Sequence, residues 1–279
     1  MNFININFGC AFNTFETLNE RIPQFEKFLQ NNIDENTIIN IQECRQLVCK
    51  ERGKTNDPME IVRNIPNVSI SSCQYNNENN FNLITIVPKK YSIIGSTRIK
   101  MDPENMEKFS RSVLHTKIQD KQGNIFSVLN THFGIKENDR NVQVQGLKKV
   151  LENEENPWIL SGDFNWTAYM ENQSGVFSEV KKMPIYREIF QCAENSVGEK
   201  IGFSMNHEGK KYDLSGTFVG FDNDFFQPES YQKLSSLQEV FFKGFDCEDS
   251  FCIGPFHPDI NIFRKEMCTD HIPIKTIFK

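Results

Sequence analysis

Five short polar clusters recur along the chain, each placed directly after or within a run of hydrophobic residues. In order they are Asn5-Ile6-Asn7, Gln42-Glu43, Asn130-Thr131-His132, Gly162-Asp163-Phe164-Asn165 and Asp270-His271. Between them they supply three carboxylates (Glu43, Asp163, Asp270), two imidazoles (His132, His271) and several amides. Carboxylates and amide oxygens suit a hard divalent cation, and imidazoles suit proton transfer. Brought together, such a set can neutralise a phosphate, activate a water and assist a leaving oxygen. Hydrolysis of a phosphate ester needs all three.

The hydrophobic patterning says which elements must carry these groups to one place. Residues 2–8 alternate Phe3, Ile4, Ile6 and Phe8 with Asn, a short strand on which Asn5 and Asn7 share a face. Over 15–29 the residues Phe15, Leu18, Ile22, Phe25, Phe28 and Leu29 recur at helical spacing, with Pro23 a point where the helix is expected to divide. A buried strand over 37–41 ends on Gln42-Glu43, and 57–63 predicts a short helix with Pro58 in its first turn. Strands follow over 68–72, 81–87, 92–100, 111–119 and 124–130, the last two joined by a hairpin turn at 120–123. An amphipathic helix over 139–152 rests on Val142, Leu147, Val150 and Leu151, and a strand over 157–161 leads into Gly162-Asp163. Further strands are expected at 217–221, 237–243 and 271–278, with loops at 76–82 and 170–182. This order predicts one α/β (α+β) domain over 1–279, a pair of mixed sheets flanked by helices.

Composition narrows the function classes. With 38% hydrophobic residues and 25 Phe among 279 positions, the chain can build a large core, so global disorder is excluded. A net charge of −6 gives no broad basic footprint, which disfavours avid nucleic-acid binding through overall charge. The N-terminus, MNFININFGC, lacks the basic and apolar regions of an export signal, and no apolar run is long enough to span a membrane. The expectation is a cytoplasmic monomer with no stable membrane insertion. Eight Cys contain no C-x-x-C pair, so mostly reduced, buried thiols are expected. Cys44/Cys49 and Cys247/Cys252 are spaced for a disulfide or a zinc site, but no His stands at zinc-finger spacing to support one.

Taken in order, the clusters resemble the endonuclease/exonuclease/phosphatase superfamily, the fold of deoxyribonuclease I. Its strand ends read N-I/V-x, L-Q-E, N-T-H, G-D-x-N and S-D-H-x-P; here they stand as NIN at 5–7, IQE at 41–43, NTH at 130–132, GDFN at 162–165 and TDHIP at 269–273. The resemblance spans nearly the whole chain. Lesser matches are Arg111 in FSRSVLHTKI, Arg140 and Gln145 between N-T-H and G-D-x-N, and GTFVGF at 216–221. They are similar to the superfamily's metal-dependent hydrolase branch. The resemblance implies a four-layer αββα sandwich, two mixed β-sheets packed face to face and flanked by helices.

It also implies roles. Glu43, Asn7 and Asp270 would hold Mg2+ (or Mn2+). Asp163 would position or deprotonate the attacking water, and His132 would donate to a phosphoryl oxygen or protonate the leaving group. Asn5, Arg111 and Asn165 would meet the substrate phosphate. His271 would be oriented by a carboxylate, for which Glu239 in LQEVFF at 237–242 takes the place of the usual Asp. Asn7 stands where nucleases for abasic sites carry Asp. Trp166 is a candidate wall of the pocket, whereas His115, His207 and His257 have no motif around them and are assigned to structure or surface.

The implied activity is phosphodiester hydrolysis, with a nuclease-type substrate favoured because that is the commonest use of such a site. A phospholipid headgroup or small phosphorylated metabolite is the alternative, since GDFNWTA carries neither the deadenylase nor the inositol-phosphatase signature. A non-catalytic binding module would usually have lost a carboxylate or a His, and here every major one is present. A secreted toxin of this fold lacks its signal sequence.

Overall fold

The computed structural model describes residues 1–9, 15–45, 47–49, 54–76, 81–101, 111–134, 137–163, 202–207, 210–215, 238–253 and 273–279. In chain order the elements are β1 (Asn2–Asn7), α1 (Phe15–Asn32), β2 (Thr37–Cys44), β3 (Leu47–Cys49), β4 (Lys54–Asn56), α2 (Pro58–Arg63), β5 (Val68–Asn76) and β6 (Phe81–Pro88). There follow β7 (Ser92–Lys100), β8 (Ser112–Gln119), β9 (Ile125–His132), α3 (Glu137–Glu152), β10 (Trp158–Asp163), β11 (Gly202–His207), β12 (Lys210–Ser215), β13 (Gln238–Lys243), β14 (Cys247–Cys252) and β15 (Ile274–Phe278).

Two mixed sheets form. The first has six strands in the order β14-β15-β1-β2-β6-β5, and the second has five in the order β13-β10-β9-β8-β7. Each is built around one parallel pair, β1 with β2 and β9 with β10, flanked by antiparallel neighbours. A parallel pair brings two strand C-termini to the same end of the sheet. The polar clusters that follow those strands are thereby gathered at one edge of the sandwich.

Period-two alternation decides what each face meets. On β1 and β2, Ile4, Ile6, Ile39 and Ile41 pack with Phe25 and Leu29 of α1 and with Met59 and Val62 of α2. On β9 and β10, Leu129, Trp158 and Leu160 pack with Leu147 and Leu151 of α3. The intervening residues Phe3, Ile38, Val128 and Ile159 meet between the sheets, with Phe242 and Phe278. Helices therefore cover both outer faces, and the four-layer αββα sandwich is the observed architecture. α3 comes so close to the chain beneath it that a Cβ on Gly146 would lie 2.2 Å from the Met101 carbonyl oxygen, so that position must lack a side chain.

Several boundaries differ from the sequence expectation. α1 runs unbroken through Pro23. Pro23 and Asn19, whose carbonyl loses its intrahelical partner there, are both exposed on the solvent side of the helix, while buried Phe25 and Leu29 hold the second half in place. α2 forms as expected, with the Asp57 side chain capping Met59 N at 3.0 Å. The short pair β3–β4, the hairpin β11–β12, which takes His207 into a strand end, and the edge strand β14 are additional to the expected strands, because their sequences carry no strong alternation. The strand expected at 217–221 lies outside the described residues. Among the described residues no helix is long and apolar enough to cross a membrane, and Cys73 is a free thiol, its pKa pushed up to about 11 by burial.

Candidate active site

Toward the C-terminal ends of β1, β2, β9 and β10 the layer between the sheets changes from apolar to polar. Asn5, Asn7, Asn40, Gln42, Asn130, Ser161 and Asp163 occupy the positions that alternation assigns to this layer, and all are at most 1% exposed. Such burial is tolerable only if the groups satisfy one another, and across the two sheets most of their polar atoms do so, Gln42 Oε1 being the one that finds no partner among the described residues. Gln42 Nε2 donates to Asn5 Oδ1 at 2.8 Å and to Asn130 Oδ1 at 2.7 Å. Asn130 Nδ2 donates to the carbonyls of Ile41 and Ile84 at 3.1 and 2.8 Å. Asn40 Nδ2 donates to Ser161 Oγ at 2.8 Å and its oxygen accepts from Thr85 Oγ1 at 2.7 Å.

Asn5 belongs to this network. Its Nδ2 donates to the Gly162 carbonyl at 3.0 Å, and its oxygen accepts from Gln42 and from Ser161 Oγ at 3.0 Å. Expected to meet the substrate phosphate, the Asn5 amide instead sits fully buried and ties β1 to β10 and β2. Asn7, one register step nearer the rim, donates from Nδ2 to Asp163 Oδ2 at 2.6 Å and accepts the Gly9 N–H at 2.7 Å. Its contact with Asp163 fixes the orientation of that carboxylate.

Three of the expected chemical groups meet just above. His132 Nε2 lies 3.5 Å from Glu43 Oε1 and 3.8 Å from Asp163 Oδ2. His132 and Asp163 are register neighbours on the parallel pair β9–β10, which accounts for their proximity. The same pairing explains the glycine of GDFN: a Cβ on Gly162 would lie 2.2 Å from the Thr131 carbonyl oxygen.

Glu43 arrives by a different route. Strict alternation would turn it toward α1, on the side of Ile41. Instead the β2–β6 register shifts between Ile41 and Cys44, and Glu43 has φ 57°, in the left-handed region that a residue with a Cβ seldom occupies. The bulge rotates the carboxylate into the site and returns Cys44 to the apolar cluster under α1. Glu43 thus lies inside β2, not beyond its end as the sequence suggested.

Other expected residues fall variously. Half-buried Arg111 immediately precedes β8, its carbonyl accepting from Met101 N at 3.0 Å. Asn165, Trp166, Asp270, His271, His257 and GTFVGF lie outside the described residues. Of Glu239 only the backbone is described: it pairs with Gly162, and Gln238 is the residue level with Asp163. Gln145 is exposed, whereas buried Gln143 accepts from Gly134 N at 2.7 Å and secures the turn after His132.

His115 is structural, as expected, and its partner is a buried acid, Glu154. Glu154 Oε2 lies 2.8 Å from His115 Nε2 and accepts from Ser127 Oγ at 2.9 Å, beneath the end of α3. Burial pushes the Glu154 carboxyl up, but the Asn156 backbone and side chain, Ser127 and His115 outweigh it and hold it below the usual range. Burial first, and then the nearby Lys117, lower the His115 pKa against the opposing pull of Glu154, so the imidazole is neutral at pH 7. The sequence did not reveal Asn40, Gln42 and Asn130 as a network, although their alternation with Ile39, Ile41 and Leu129 carried the signal.

No protein-family model matches the chain, and no curated protein does. Solved structures do. An endonuclease/exonuclease/phosphatase from Bacteroides vulgatus superposes with TM-score 0.63 at 16% identity, over 100% of this chain and 98% of the other. A Bacteroides thetaiotaomicron mannosyl-6-phosphatase gives 0.60 at 16% identity, over 100% and 99%. D. rerio TDP2 in complex with a single-stranded DNA product gives 0.63 at 12% identity, over 100% and 98%. The two sheets, their parallel pairs and the helices that cover them are the fold of the endonuclease/exonuclease/phosphatase proteins.

Proposed function

We propose that this chain is a Mg2+-dependent (or Mn2+-dependent) phosphoesterase that cleaves a phosphodiester bond by attack of an activated water, with nuclease-type substrates favoured. The observation that carries this reading is the meeting of Glu43, His132 and Asp163, from three separate strands, within 4 Å of one imidazole nitrogen. Two carboxylates confined around one imidazole in a buried layer repel each other unless a cation lies close by. Backbone strain spent on aiming Glu43 is also more readily explained by a ligand than by folding.

The donors are hard oxygens, which fit Mg2+ or Mn2+. Among the described residues no three His, Cys, Asp or Glu side chains gather as a complete site. Glu43 would therefore hold the ion with the Asn7 amide oxygen and with Asp270, which lies outside those residues. When bound, the ion would neutralise phosphate charge and lower the pKa of a coordinated water. Asp163, oriented by Asn7, accepts the proton of the attacking water, and His132 donates to a phosphoryl oxygen. Asn165 and Arg111 bind the phosphate, and His271 assists the leaving oxygen.

Activity is expected to vanish with excess EDTA and to return with Mg2+ or Mn2+ but poorly with Zn2+, measured on a panel of phosphodiesters, phosphomonoesters, RNA and DNA. Full turnover in EDTA would remove the metal from the proposal. A phosphatase or phosphodiesterase acting on a phospholipid headgroup or small phosphorylated metabolite is the second reading, favoured by the mannosyl-6-phosphatase among the structural neighbours. The panel separates the two.

Glu239 is proposed to orient His271. On that basis Glu239→Gln should lower the rate by about 10- to 100-fold, as loss of an orienting carboxylate does, while Glu239→Asp retains activity and exposed Glu155→Gln changes nothing. If Gln238→Leu lowers the rate and Glu239→Gln does not, the residue level with Asp163 performs that task instead.

A further inference from the structure

Arginine nitrogens stand out among the buried polar atoms that find no hydrogen-bond acceptor among the described residues: Nε of Arg45 and Nη2 of Arg98 are both of this kind. A guanidinium donor left buried and unsatisfied opposes folding, so two in one region call for an explanation. Both lie at the end of the sandwich where the site is. Arg45 follows Cys44, which is level with Asn82 at the start of β6, and its guanidinium stacks 4.9 Å from the centre of the Phe81 ring. Arg98, on β7, donates from Nε to Ser112 Oγ at 2.9 Å. Ser112 opens β8 beside Arg111, level with the end of β9 that carries His132.

β6 packs across from β8 and β9, and β5 across from β7. Arg45, Arg111 and Arg98 therefore lead outward from His132 toward the β5–β7 edge, in a protein whose net charge is −6. The Phe81 ring and the Ser112 hydroxyl each fix one guanidinium plane, leaving Arg45 Nε and Arg98 Nη2 as pre-organised donors for a planar or tetrahedral oxyanion.

Resting on the phosphoesterase reading, we propose that Arg45 and Arg98, beyond the Arg111 that meets the first phosphate, form an anion-binding strip that takes a second phosphate of the substrate. The ligand class is a molecule with at least two phosphates spaced along a chain, one at His132 and one on the strip. Such chemistry is found both in a nucleic-acid strand and in a small polyphosphorylated metabolite.

The test is calorimetric titration of the protein, in metal-free buffer, with orthophosphate, tripolyphosphate and an eight-residue oligothymidylate. At least one polyanion should bind ten-fold or more tighter than orthophosphate, and Arg98→Met and Arg45→Met should each weaken it about ten-fold. Arg98→Lys, which keeps the charge and the aliphatic stem but not the fork, should fall between. Tight tripolyphosphate alone identifies a small-molecule source, and tight oligothymidylate alone a nucleic-acid source. If neither exceeds orthophosphate, or if folded Arg98→Lys and Arg45→Met bind as wild type does, the strip is wrong. Turnover of a substrate with a single phosphodiester reports separately on the phosphoesterase reading: its absence alongside tight polyanion binding would overturn that reading and leave the strip intact.

Discussion

Asp163→Asn should lower turnover by about 10²- to 10⁴-fold, the scale on which a positioned general base contributes, while leaving the melting temperature equal or higher. Asp163 is 1% exposed and its Oδ2 is shared between Asn7 and His132. A neutral amide of the same shape still reaches Asn7, yet it no longer places a second negative charge near Glu43 and cannot accept the proton of a water. His132→Ala should cause a loss of similar size. Glu43→Asn separates function from folding most sharply. Asn adopts the left-handed conformation more readily than Glu, so the bulge at φ 57° becomes easier to form as the carboxylate disappears. Turnover should collapse and stability should hold or rise, read by phosphodiester kinetics beside thermal unfolding. If Asp163→Asn keeps turnover within about three-fold of wild type, the water-activating role is wrong. If Glu43→Asn unfolds the protein, the strain serves folding instead.

Asn130→Ala carries the largest expected cost in stability. Its amide closes three bonds at once, to the carbonyls of Ile41 and Ile84 and from Gln42 Nε2, all in a layer without solvent access. Truncation strands two backbone acceptors and loosens the donor that also holds Asn5. At about 1–3 kcal/mol for each stranded group, the loss should reach about 3–5 kcal/mol, a fall in melting temperature on the order of 10 °C for a chain of this size. Asn153→Ala is the comparison: its amide also makes a hydrogen bond, to the Lys149 carbonyl at 2.7 Å, but in solvent. There the change should stay within about 0.5 kcal/mol. Equal effects from the two would mean that water reaches the Asn130 layer and that the network does not tie the sheets together.

What the sequence determined by itself is the order of the chemistry and the faces that carry it. Alternation on β1 set Asn5 and Asn7 on one side and Ile4 and Ile6 on the other, and the structure keeps that division. Pro58 announced α2 because a first-turn proline is a local effect, complete within one turn. Tertiary structure decided the rest. Period two predicts the wrong side for Glu43, since a bulge depends on how β2 registers against β6, a strand some forty residues away. Pro23 stays inside α1 because packing of Phe25 and Leu29 outweighs one lost helical bond. Glu154 looks like a surface acid in NEENP, yet it is buried by Ser127 and His115, which approach it only once α3 lies against the second sheet. Asn5 was legible as a polar residue at a strand end but not as a buried tie. Whether an amide meets a ligand or another amide depends on what the opposing sheet presents, here Gly162 and Ser161, and no pattern within one strand contains that information.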